Sequence, residues 1–76
     1  MKEFVEYVLR NLVDFPDEVS VDEVNGSSTI ILEIRAKKED MGKIIGKQGK
    51  TINAVRHLVH SLASRNNSRI TIEILE

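Results

Sequence analysis

The sequence predicts an α+β domain in which a three-stranded mixed sheet carries its helices on one face. Three observations predict it. Apolar residues recur at helical spacing in long stretches and at period two in three short ones. Asn25-Gly26, the strongest short hairpin signal because both residues tolerate a turn with positive φ, separates the first two of the short stretches. The second and third are joined by a long helical segment, enough for a parallel crossover.

Residues 3–13 set Phe4, Val5, Val8, Leu9, Leu12 and Val13 on one helix stripe. Asp14, Pro16 and Asp17 end that helix, because proline cannot continue the backbone ladder. Val19 and Val21 then alternate with Ser20 and Asp22, the period of a strand. After the Asn25-Gly26 turn, residues 29–36 alternate again. Ile30, Leu32, Ile34 and Ala36 share one side, and Thr29, Glu33 and Arg35 the other, with Ile31 an apolar exception.

Lys37-Lys38-Glu39-Asp40 opens a short helix over about residues 38–45, its acids placed in the first turn. Gly46 stands where a helix-ending glycine belongs. The next helix covers residues 50–65, with a stripe of Ile52, Val55, Leu58, Val59, Leu62 and Ala63. Asn66-Asn67 tolerates left-handed geometry and stops it. Residues 69–75 form a last strand, with Ile70, Ile72 and Ile74 on one face.

The order is helix, strand, strand, helix, helix, strand. The hairpin makes the first two strands antiparallel. The two-helix crossover makes the second and third parallel and right-handed. The second strand, the most apolar, belongs in the centre. Residues 1–76 read as a single domain.

Composition narrows the function. A chain of 76 residues buries only roughly 60% of its unfolded surface, which leaves little room for a deep enclosed active site. The absence of cysteine excludes disulfides and thiolate metal sites, and a reducing cytoplasm is the expected location. No apolar run approaches the roughly 18 residues of a membrane span. The first residues carry acids where a signal peptide would be basic and then apolar.

The net charge of −1 hides a division. Residues 1–34 hold two basic residues against eight acidic, a net −6. Residues 35–76 hold nine basic against four acidic, a net +5. One face for an anionic partner and one turned away from it would follow.

Gly46-Lys47-Gln48-Gly49 lies in the basic half, between the apolar pair Ile44 and Ile45 and the helix opened by Lys50, Thr51 and Ile52. Glycines permit a sharp turn and keep side chains off the approach path. Lys47 and Gln48 stand between them, and the start of the next helix adds a positive dipole end. Such a loop suits a phosphate backbone better than a catalytic site. Gly49-Lys50-Thr51 copies the end of a nucleotide-binding P-loop, but Ile44 occupies the position of that motif's first glycine, and a helix precedes the loop where a strand is required.

Ile45-Gly46-Lys47-Gln48-Gly49-Lys50-Thr51-Ile52, with the element order, resembles the signature of KH domains of type II, the bacterial arrangement. A stand-alone domain of this size, with Glu39-Asp40-Met41-Gly42-Lys43 leading into the loop, is similar to the KhpA family of small bacterial RNA-binding proteins. The resemblance spans nearly the whole chain. It implies a type II KH fold and non-catalytic binding of single-stranded RNA, with about four nucleotides held across the loop. The expected contacts are Gly46, Lys47, Gln48 and Gly49 as the clamp. Lys43 and Lys50 would meet phosphate, and Ile45 and Ile52 would line the groove. Arg35, Lys37 and Lys38 would add salt-dependent attraction. Phe4, Tyr7 and Phe15 all lie outside the loop region, so aromatic stacking is not expected there.

The resemblance also implies post-transcriptional regulation or RNA chaperoning. It implies pairing as a homodimer, or as a heterodimer with a second KH-containing protein. No cofactor, metal or membrane is expected. His57 and His60 lie at i and i+3 with no further ligand suitably spaced, and read as surface histidines. The competing reading is a protein-interaction module with RNA contact secondary, suggested by the acidic half and the outward Ile31.

Overall fold

The computed structural model describes residues 1–65 and 68–75. Helix α1 (Lys2–Arg10) leads through a 3-10 turn (Pro16–Glu18) to strands β1 (Ser20–Asn25) and β2 (Thr29–Arg35). A 3-10 turn (Lys38–Asp40) runs into α2 (Met41–Ile45), a second (Lys47–Gly49) runs into α3 (Lys50–Ser64), and β3 (Arg69–Ile74) closes the chain. The sheet order is β1-β2-β3, with β1 antiparallel and β3 parallel to the central strand. Fold class and strand directions match the expectation. Asn66-Asn67, expected to stop α3, lies outside the described residues.

Register explains the layering. Val21 opposes Ile34, Leu32 opposes Ile72, and Ile30 opposes Ile70, so their side chains share one face. Val5 and Leu9 of α1, Ile44 of α2, and Ile52, Val55, Val59 and Ala63 of α3 join that face in one buried cluster. Each large side chain so buried contributes roughly 1.5–3 kcal/mol by leaving water. The other face carries Asp22, Glu33 and Glu73 side by side, next to Val24, Ile31 and Thr71.

Three expectations need correction. Helix α1 ends at Arg10, before proline can act. Asn11 and Leu12 tighten the last turn by donating to Val8 and Leu9 carbonyls, and the Asn11 amide donates to the Tyr7 carbonyl at 2.7 Å. The hairpin does not turn on positive φ at Asn25 and Gly26. Asn25 still pairs with Ile30, and the Gly26 N–H donates to the Thr29 carbonyl at 2.7 Å. The core register of Val21 and Leu32 fixes the pairing, which leaves residues 26–28 to turn. Finally, Leu58 and Leu62 are not core: they stay 51% and 38% exposed. On a helix whose stripe centres on Ile52, Val55, Val59 and Ala63, they fall to one side.

Asp40, an acid of the first turn leading into α2, is fully buried. One carboxylate oxygen accepts the Asp14 N–H at 3.2 Å and the other accepts the Phe15 N–H at 2.9 Å. Burying a carboxylate is costly unless such donors satisfy it. The connection between α1 and β1 is thereby fastened to the start of α2.

Candidate nucleic-acid interface

Helices α2 and α3 meet at residues 46–49, and the loop's backbone is unlike any other among the described residues. Gly46 has φ 79° and ψ 168°, a region essentially reserved for glycine. Gln48 (φ 58°, ψ 26°) and Gly49 (φ 77°, ψ 11°) are both left-handed. Among the described residues these three alone have positive φ. For Gln48 that conformation is strained, and only the surrounding structure holds it there.

The turn closes on itself. The Gly46 N–H donates to the Gly42 carbonyl at 2.8 Å, the Gly49 N–H to the Gly46 carbonyl at 3.1 Å, and the Lys50 N–H to the Lys47 carbonyl. Thr51 packs tightly on Gly46: a Cβ there would stand 2.3 Å from Thr51 Oγ1 and 2.7 Å from its backbone nitrogen. Gly49 is roomier, with Asn53 Nδ2 3.6 Å from the corresponding point. The two glycines thus have different reasons: contact and conformation for Gly46, conformation for Gly49. Lys47 and Gln48 are exposed to solvent, and no side chain caps the N-terminus of α3.

Electrostatics favours an anion here. Residues 41–72 contain no Asp or Glu but six Lys or Arg. Lys47 and Lys50 are exposed and have no ion pair among the described residues. Lys43 is on α2 as expected, but its ammonium is paired with the Asp14 carboxylate. Arg35 and Lys37 are also occupied. Arg35 bonds Asp22 at 2.8 Å. Lys37 sits 4.0 Å above the Phe15 ring centroid and 3.8 Å from Glu39. Ile45 is half-buried beside the loop, whereas Ile52 is only 4% exposed and belongs mainly to the core. His57 and His60 are exposed, and the described residues hold no group of three metal-ligating side chains.

Two features escaped the sequence. Thr51 fixes Gly46, and its only signal was its place five residues on. Asp14 reaches Lys43 from 29 positions away, with no local pattern to reveal it.

The chain is similar in sequence to known proteins. A family model described as "KhpA/KhpB, KH domain" matches residues 2–74. The RNA-binding protein KhpA of Chlamydia pneumoniae is 57% identical over 76 residues, covering 100% of this chain and 97% of its own. The protein of that name from Clostridium acetobutylicum is 47% identical over 75 residues, covering 99% and 100%. That of Borreliella burgdorferi is 39% identical over 74 residues, covering 97% and 90%. No solved structure matches the chain. The matched span, the identities and the loop between α2 and α3 together place this chain in the KhpA/KhpB KH-domain family.

Proposed function

We propose that the protein binds single-stranded RNA without catalysis, clamping the sugar–phosphate backbone on Gly46-Lys47-Gln48-Gly49. One observation carries the reading: a side-chain-poor turn of three positive-φ residues, set in an acid-free stretch of chain. Backbone can come close at the glycines, and Lys47, Gln48 and Lys50 supply donors around them. Lys43 joins by exchanging the Asp14 carboxylate for a phosphate. Ile45 offers the groove an aliphatic wall, with Ile52 packed beneath it. The relatives that carry the name RNA-binding protein KhpA support the same reading.

The protein then acts in the bacterial cytoplasm as a post-transcriptional regulator or RNA chaperone. No helix among the described residues is long and apolar enough to cross a membrane. Replacing Lys47 and Gln48 with Asp tests the clamp. The double variant melts like the parent and loses RNA binding; a folded variant with parental RNA affinity refutes the site. Salt gives a second measure, because each phosphate held by a cation contributes about 0.7 to the slope of log affinity against log salt for a single strand.

The protein works as a homodimer or with a second KH-containing protein. Leu58 and Leu62, left exposed on one flank of α3, support this pairing. Two linked clamps gain affinity through effective concentration. Leu58→Asp shifts sedimentation toward the monomer; an unchanged sedimentation coefficient removes that flank from the interface.

A further inference from the structure

Lys43 stands three residues before Gly46, and its ammonium is already occupied by the Asp14 carboxylate. Lys47 and Lys50, by contrast, have no ion pair among the described residues. The partner of Lys43 comes from elsewhere in the fold. Asp14 belongs to the connection between α1 and β1, 29 positions away in sequence.

That connection is fastened where it passes the lysine. The Asp14 N–H donates to one oxygen of the buried Asp40 carboxylate at 3.2 Å, and the Phe15 N–H donates to the other at 2.9 Å. The Phe15 ring in turn lies 4.0 Å from the Lys37 ammonium. One segment therefore engages two of the lysines upstream of the loop, and a buried group holds the segment in place. A carboxylate tethered in this way meets its lysine at a high effective concentration. A phosphate arriving at Lys43 has to displace an acid that stays within reach.

We infer that Asp14 is a built-in competitor for phosphate at Lys43, and that it holds the affinity of the clamp below what the clamp's own cations would give. The inference rests on the RNA reading above and deepens it. In the free protein Asp14 occupies the ammonium. A bound strand displaces the carboxylate, which retakes the lysine as the strand begins to leave, so its effect is to speed release. The exposure of the pair suits such exchange: the Lys43 side chain is 46% exposed and that of Asp14 68%, so neither has to be uncovered first. Ion pairs this exposed contribute little to folding, and stability gives a weak reason for holding this one so firmly.

The test is a double-mutant cycle on the whole protein with Asp14→Asn and Lys43→Met. An oligouridylate of about four nucleotides is titrated at low salt, its dissociation rate is measured, and all variants are melted. Asp14→Asn keeps the backbone bonds to Asp40 and melts like the parent. It binds the strand about two- to fivefold more tightly, the upper value being the worth of an exposed ion pair, and releases it more slowly. Asp14→Ala, run in parallel, gives the same gain without a side-chain amide that could itself reach phosphate. With Lys43→Met already present, neither change at Asp14 alters the affinity. A gain that persists with Lys43→Met overturns the inference, because Asp14 then acts by general repulsion of the strand. Unchanged or weaker binding by both Asp14 variants also overturns it. Both of these results leave the clamp standing. A parent that does not bind the strand overturns the clamp and the competitor together.

Discussion

The two ends of α2 are built by opposite means. At its start, the buried Asp40 carboxylate takes two backbone donors from a segment far away in sequence. At its end, Gly46 contributes no side chain, and the chain enters conformations that most residues avoid. One end is held by satisfying both oxygens of a buried carboxylate. The other is held against its own preference and left open to solvent. The difference shows how a small domain can keep a strained turn: a short helix fastened at one end holds the other in place.

Substitutions test that contrast, beginning with the largest effect. Gly46→Ala places a Cβ into Thr51 and demands a glycine-only φ and ψ. It costs about 3 kcal/mol or more, read as a lower urea midpoint. A loss under about 1 kcal/mol would mean the turn is not held as described. Asp40→Ala leaves two partly buried N–H groups without their acceptor and costs about 2–3 kcal/mol in the same measurement. A neutral result there would remove the anchor.

Gly49→Ala separates conformation from contact. Its Cβ has room, so only the left-handed penalty of about 1–2 kcal/mol applies, below that of Gly46→Ala. Equal losses at the two glycines would contradict their different surroundings. Gln48→Gly is the smallest change. Relief of the left-handed strain is offset by the greater freedom of the unfolded chain, leaving stability within about 0.5 kcal/mol of the parent. A large stabilisation would show that Gln48 stores more strain than its neighbours relieve.

Much of this was legible in the sequence, for identifiable reasons. Period-two runs over residues 29–36 and 69–75 located two strands, and the crossover length decided their parallel pairing. The glycine spacing marked the loop. Element ends were harder to read. Proline drew attention to Pro16, while Asn11 had already ended α1 through a bond to its own last turn. Leu58 and Leu62 fit helical spacing as well as Val55 and Val59 do, and hydropathy cannot tell which flank of a helix meets the sheet. The partners of Asp40 and Lys43 had no local signal, because Phe15 and Asp14 are distant in sequence. Tertiary contact decides such cases, and local pattern does not contain it.

The parallel pairing of β2 with β3 has a consequence for biosynthesis. The loop lies inside the crossover, so its two helices lack part of their platform until the last strand has been made. Ile70 and Ile72 complete the core that Val59 and Ala63 lean on. A chain halted before residue 69 carries the lysines of the loop on an unfinished core, without Ile70 and Ile72.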